Sequence, residues 1–202
     1  MKGDIRLKKN LKYIMPLILL LSMPANVYAD PVQEDEYSSD YIEVNELTEE
    51  ELLAIENMPS VQEMMEEELS DDECINTAIH FALSKLDYPY SQSRRDSGSA
   101  FDCSSLVYYS YLEAGVDISN DGLYTAAEIA KKYSDQQVSI DEMEPGDIIF
   151  YSNSKNGRYK NIGHMALYAG QGTQVEASTS KKKVVHRPTY YKGVVMVCRP
   201  VM

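Results

Sequence analysis

The spacing of apolar residues changes once along the chain, and this change limits the possible fold more than any other feature. Between Cys74 and Leu86, apolar residues recur at the three-to-four-residue spacing of a helix, which should end near Asp87. A second short helix is predicted around 125–133. Short apolar runs separated by turn residues follow. Helices followed by an antiparallel sheet predict an α+β fold.

The predicted strands bring polar side chains close together. The strand residues are Ile148 to Tyr151, Gly163 to Ala169, Thr173 to Ala177, Val184 to His186 and Val194 to Val197. In a strand His164 and Ala166 share one face, because side chains alternate. Across the tight turn at 170–172, we expect Glu176 to lie beside His164.

A cysteine is predicted in the first turn of a helix. Asp102 is a good N-cap, and Gly115 is a good helix terminator. Cys103 therefore lies where the helix dipole and unpaired N–H groups favour a thiolate and could stabilise an oxyanion. With His164 and Glu176 it would form a set of nucleophile, base and orienting acid.

Three ordered blocks of this sequence resemble the NlpC/P60 cell-wall peptidases: 101–107 around Cys103, 145–151, and 163–170 around His164. The resemblance covers about 72–202. It implies a reduced papain-like fold, in which the helix with the cysteine packs on a small antiparallel sheet with the histidine. It also implies cleavage of peptidoglycan stem peptides, most often between D-Glu and the adjacent diamino acid.

The resemblance also assigns roles to residues. Cys103 would be the nucleophile, His164 the base, and Glu176 the third polar residue, a position that varies within the family. Tyr90 resembles the tyrosine that lies over the nucleophile near the oxyanion site.

Asp102 and Ser104 flank the cysteine as in the family and would shape the substrate side of the cleft. Three departures leave the reacting groups in place: Ser105 replaces a glycine, Gln92 to Arg95 replace the usual glycines of the loop beside the cleft, and Met165-Ala166 replaces Val-Gly.

Other interpretations stay open. His186 is the second candidate for the orienting residue, and His80 is interpreted as structural. The same thiol chemistry would serve an amidase or an acyl or peptidyl transferase. A non-catalytic wall-binding module would lack the cysteine or the histidine, and both are present.

The N-terminal third divides into two segments of opposite charge. Residues 1–29 combine basic residues with a short apolar run, which predicts an export signal cleaved before Asp30 and no stable membrane anchor. Residues 30–73 contain 18 acidic residues and no Lys or Arg. The formal net charge of −13 argues against a protein that coats nucleic acid.

The acidic segment, 30–70, precedes a catalytic domain predicted over 71–202. Capping-box patterns begin at Thr48, Ser60 and Ser70, and they predict helices at about 49–57 and 61–69 before the domain. A solvated linker and a pro-segment that screens the cleft both fit this pattern.

The remaining motifs predict few ligands. Because neither Cys-x-x-Cys nor His-Glu-x-x-His occurs, we expect no metal and no cofactor. Cys74 and Cys198 are a possible disulfide pair, since Cys103 must stay free. No wall-binding repeat is evident, so the expected substrate is cell-wall peptidoglycan reached through a targeting partner protein, or a soluble muropeptide. The protein is expected to be secreted.

Overall fold

The structure, a computed structural model, describes residues 48–122 and 124–200. The predicted export signal and the first part of the acidic segment lie outside the described residues. The helices are α1 (Glu49–Glu56), α2 (Val61–Glu66), α3 (Glu73–Ser84), α4 (Cys103–Glu113) and α5 (Ala126–Lys132). The strands are β1 (Gln137–Val138), β2 (Ile148–Tyr151), β3 (His164–Gly170), β4 (Thr173–Ser178), β5 (Lys183–Pro188) and β6 (Val194–Cys198).

The described strands form one six-stranded sheet in the order β1-β6-β2-β3-β4-β5. Every neighbouring pair is antiparallel. Strand β6, the last in the chain, lies between β1 and β2, while β2 to β5 follow one another as a meander. The α+β prediction is confirmed.

The sheet buries apolar side chains on both faces. Met165 and Leu167 of β3 join the main core, which also holds the buried faces of α3 and α4. Ala166, between them, belongs to a smaller cluster with Ile149, Tyr151 and Val197. This alternation along β3 is the strand periodicity expected from the sequence.

Two of the three predicted capping boxes are confirmed. Thr48 and Ser60 each exchange hydrogen bonds with the glutamate three residues later. The box predicted at Ser70 is wrong: Asp72 caps α3 and accepts the Cys74 N–H at 2.8 Å. The Ser70 backbone instead pairs with the Asn76 side chain. Helix α2 is also shorter than predicted and ends at Glu66.

The two helices of the acidic segment differ in their packing. Met64 of α2 is completely buried in the main core, and its carbonyl oxygen lies 3.1 Å from Nε2 of His80 on α3. Each residue of α1 is exposed, including Leu52, Leu53 and Ile55. Helix α2 therefore packs as part of the domain, whereas α1 buries none of its residues.

The suggested Cys74–Cys198 disulfide is not formed. All three cysteines are free thiols, and Cys198 is buried on β6. Burial raises the pKa of Cys198 well above its usual value, so this thiol has little thiolate character. Among the described residues, no helix combines the length and the apolar character needed to cross a membrane.

Candidate active site

Cys103 opens α4, and its position is fixed by a reciprocal cap. Asp102 accepts the Ser105 N–H at 2.7 Å, while the Ser105 hydroxyl accepts the Asp102 N–H at 2.9 Å. Cys103 is buried, and its side chain lies at the N-terminal end of the helix. This is the environment that the sequence predicted for a reactive thiol.

His164 begins β3, and its ring pairs with a carboxylate on the neighbouring strand. On the sheet it pairs with Tyr151, and the two rings are 5.7 Å apart between centroids. Nε2 of His164 lies 2.8 Å from Oε2 of Glu176 on β4. His164 also interacts with the Cys103 side chain, and this interaction raises the pKa of the imidazole. The structure thus brings together the three residues chosen from the sequence.

Opposing influences set the charge of His164. Burial favours the neutral ring, but the Glu176 carboxylate and the Cys103 side chain outweigh it and raise the pKa of His164 to about 10. An imidazolium beside a thiol is the arrangement that favours a thiolate–imidazolium pair.

Glu176 is almost fully buried, and several hydrogen-bond donors contact its carboxylate. Its Oε2 accepts hydrogen bonds from the Gln174 amide at 3.0 Å and the Tyr190 hydroxyl at 3.2 Å. Nη1 of Arg187 lies 3.6 Å from Oε1. Burial alone would raise the pKa of Glu176, but His164, Arg187 and the Tyr190 hydrogen bond lower it, so the carboxylate stays charged.

Tyr90 lies near Cys103 on a segment held by backbone hydrogen bonds. Its N–H donates to the carbonyl of Lys182 at 2.9 Å, and it bridges to Phe101 just before the helix. Burial and the proximity of Cys103 raise the pKa of Tyr90 to about 12, so its hydroxyl keeps its proton and can donate a hydrogen bond.

Asp102 and Ser104 flank Cys103, and their polar atoms are engaged within the protein. Ser104 donates to Oδ1 of Asp102 at 3.1 Å. Nη1 of Arg95 lies 3.2 Å from Oδ2 of Asp102, and Nη2 donates to the Ser104 hydroxyl at 3.2 Å. The loop that departs from the family pattern therefore reaches the residues on either side of Cys103.

Sequence reasoning missed Gln174, Tyr190 and Arg187 around Glu176, and Arg95 beside Asp102. Gln174 carried a signal, because it lies two residues before Glu176 and so faces the same side of β4. Arg187 on β5 and Tyr190 on the loop after it carried no local signal, and Arg95 was noted only as part of the loop that departs from the family pattern.

The second candidate for the orienting role lies elsewhere. His186 pairs with Val175, whose side chain joins the main core, so His186 faces away from Glu176. His80 contacts the backbone of α2, as its structural interpretation implied. No cluster of three or more His, Cys, Asp or Glu in the described part of the chain is arranged to hold a metal ion.

Comparison with known sequences identifies the family of this chain. The NlpC/P60 family matches residues 87–198, more than half of the chain. The chain belongs to the NlpC/P60 family. This match contains the helix start at Cys103 and the strand start at His164.

Two curated relatives resemble the same region. "Peptidoglycan DL-endopeptidase CwlO" of Bacillus licheniformis is 36% identical over 81 residues, which are 40% of this chain and 16% of that protein. "Gamma-DL-glutamyl hydrolase" of Bacillus subtilis is 30% identical over 99 residues, which are 48% of this chain and 22% of that protein. The chain thus matches less than a quarter of the length of these relatives.

A solved structure has the same architecture. The peptidoglycan hydrolase RipB of Mycobacterium tuberculosis aligns with a TM-score of 0.52 and 29% identity, over 64% of this chain and 66% of that one. The NlpC/P60 domain has a reduced papain-like fold, in which helices pack on a small antiparallel sheet, and this chain shares it.

Proposed function

We propose that this protein is a secreted cysteine endopeptidase that cleaves peptidoglycan stem peptides. The observation that carries the proposal is the grouping of Cys103 at the start of α4 with His164 at the start of β3 and Glu176 on β4. Relatives named as peptidoglycan endopeptidases and hydrolases support a peptidase that acts on the cell wall. The catalytic roles of these three residues are inferred from this geometry.

In the first step, the Cys103 thiolate attacks the carbonyl carbon of the scissile amide. The carbonyl electron pair moves to oxygen and forms a tetrahedral oxyanion. His164, as imidazolium, then donates its proton to the departing amine as the C–N bond breaks. An acyl-thioester on Cys103 and a free amine result.

In the second step, water attacks the thioester. His164, now neutral, accepts a proton from the water, and the C–S bond breaks to release a carboxylic acid and regenerate the thiolate–imidazolium pair. Glu176 holds the imidazole in one orientation and stabilises its charged form throughout.

The oxyanion has donors close to the nucleophile. The first N–H groups of a helix lack intrahelical acceptors, so those of Cys103 and Ser104 are available at the start of α4. The protonated Tyr90 hydroxyl would add a third donor. Asp102 and Ser104 would shape the substrate side of the cleft.

The bond that we propose is the amide between D-Glu, through its γ-carboxyl, and the diamino acid. The support comes from the resemblance noted in the sequence and from relatives named for DL-endopeptidase and gamma-DL-glutamyl hydrolase activity. The acyl group transferred to Cys103 would then be γ-D-glutamyl.

Export and targeting form part of the proposal. Residues 1–29 would direct secretion and be removed before Asp30. Either a partner protein would bring the enzyme to the cell wall, or its substrate would be a soluble muropeptide. N-terminal sequencing of the protein from the culture medium should read Asp-Pro-Val-Gln if cleavage occurs there.

Mass spectrometry of digestion products tests the activity. Purified peptidoglycan and soluble muropeptides are incubated with the full chain, with Cys103→Ala, and with Cys74→Ser as the matched control. We expect fragments ending in γ-D-Glu with the full chain and the control, and none with Cys103→Ala.

The same experiment distinguishes the alternatives. A product that carries the acyl group on an added amine would identify a transferase, and release of the peptide from the sugar would identify an amidase. Retention of peptidoglycan by a folded protein with no product from any variant would favour a binding module instead.

A further inference from the structure

Arg95 joins three segments around the nucleophile. It lies in the loop that departs from the family pattern, and its side chain is only 18% exposed. Nη1 pairs with the N-cap carboxylate of Asp102, while Nη2 lies within 3.2–3.3 Å of the Ser104 hydroxyl and the carbonyls of Gly122 and Tyr124. A planar guanidinium suits such a fork of acceptors, whereas a lysine would supply a point charge.

The charge of Arg95 matters because Cys103 lies between two of its partners in the sequence. Asp102 and Ser104 are the immediate neighbours of Cys103. The Asp102 carboxylate is buried beside a side chain that must become a thiolate, and two buried negative charges at short range repel each other with little screening. Asp96, the other acid near Arg95, is 72% exposed and 3.8 Å from Nε, so it competes weakly.

We propose that Arg95 is a positioning residue for the nucleophile. It cancels the Asp102 charge next to Cys103 and fixes both residues that flank the thiol. The role rests on the proposed function, since it presupposes that Cys103 reacts as a thiolate. Arg95 thus affects the reactivity of the Cys103 thiol indirectly, through its salt bridge with Asp102.

Alkylation of the native protein tests this without any substrate. The rate constant for the reaction of Cys103 with iodoacetamide at pH 7 is measured by mass spectrometry in the full chain. The variants are Arg95→Met, Asp102→Asn and the double variant. Arg94→Met is the matched control, because in the described structure the neighbouring Arg94 side chain is exposed and makes no ion pair or hydrogen bond. Circular dichroism checks that each variant is folded.

The two charge changes should act in opposite directions. Arg95→Met should slow alkylation about threefold or more, because Asp102 is then uncompensated. Asp102→Asn should speed it, because an asparagine still caps a helix and Arg95 then faces the thiolate alone. In the double variant, the added effect of Arg95→Met should be smaller, because part of its cause, the Asp102 charge, is gone. Arg94→Met should react like the unmodified chain.

Several results would overturn the inference. These are an unchanged rate in Arg95→Met, an equal slowing by Asp102→Asn, or the full effect of Arg95→Met when Asp102→Asn is also present. If Arg95→Met fails to fold, Asp102→Asn still decides, because slower alkylation of Cys103 in Asp102→Asn contradicts the charge argument. Cys103 that reacts no faster than Cys74 in the unmodified chain would instead contradict its proposed role as nucleophile.

Discussion

The Tyr190 hydroxyl donates a hydrogen bond to Oε2 of Glu176, the oxygen that also faces His164. The Tyr190 ring stacks on Tyr151 with centroids 4.5 Å apart, and Arg187 lies over it at 4.7 Å. The Glu176 carboxylate is therefore held by a tyrosine whose own ring contacts both Tyr151 and Arg187. A carboxylate with several fixed donors keeps its charge and its direction in a buried site.

Replacement of Tyr190 by Phe should weaken this support while keeping the stacking. We expect kcat to fall about two- to tenfold, because the loss of one ordinary hydrogen bond costs about 0.5–1.5 kcal/mol and the Gln174 amide still donates to Glu176. The measurement is hydrolysis of a defined muropeptide. Tyr191→Phe, at a tyrosine that is 52% exposed, is the control and should keep its rate. Equal rates for both variants would show that Tyr190 does not act through Glu176.

Replacement of Glu176 by Gln should change the pH dependence of activity as well as its size. Glu176 helps to raise the pKa of His164 to about 10, so without its charge the imidazolium is lost at lower pH. We expect the basic limb of the kcat/KM profile to move down by about one pH unit or more, and kcat to fall at least about tenfold. Glu113→Gln, at an exposed glutamate at the end of α4, should leave the profile in place. A profile with an unmoved basic limb in Glu176→Gln would contradict the coupling.

The same pKa shift predicts how stability depends on pH. The folded-state pKa of His164 is raised from 6.5 to about 10. Its stabilisation is therefore fully present below pH 6.5 and disappears as the pH rises towards 10. Urea unfolding between about pH 7.5 and 10 should show a steeper loss of unfolding free energy in the unmodified chain than in His164→Asn. Parallel slopes would mean that the imidazolium contributes nothing to folding.

Met64 and Met65 provide a matched test of how α2 packs. Met64 is completely buried, whereas Met65 is 40% exposed. Met64→Ala should lower the free energy of unfolding by about 2–5 kcal/mol, because a cavity opens in the main core. Met65→Ala should change it by less than about 0.5 kcal/mol. Similar small effects in urea unfolding would show that α2 does not belong to the cooperative core.

Much of the fold followed from local patterns. Short apolar runs bounded by turn residues predicted β2 to β6, and the N-cap at Asp102 predicted where α4 begins. The Ser70 cap failed because Asp72, two residues later, offers a carboxylate directly to the Cys74 N–H. Two potential caps so close in sequence compete for the start of α3. Ser70 does not cap the helix, and its backbone pairs with the Asn76 side chain.

The contacts that complete the site were not predictable in the same way. The pairing of adjacent strands predicted that Glu176 lies beside His164, whereas the packing of the Cys103 helix on the same sheet followed from the family resemblance. Arg95 and Tyr190 lie on loops. Arg95 joins the cap of α4 to the carbonyls of Gly122 and Tyr124, and Tyr190 reaches Glu176 on β4. Such contacts depend on the three-dimensional path of the loops, which residue spacing does not encode.

The burial of Met64 affects how this domain can be moved between proteins. The family match begins at residue 87, yet Met64 and all of α3 lie before it, and Met64 and the buried face of α3 belong to the main core together with residues of α4. A fragment that begins where the family match begins would contain Cys103, His164 and Glu176. It would lack part of the core that packs beneath them. A fragment of this chain that keeps this packing therefore begins no later than α2.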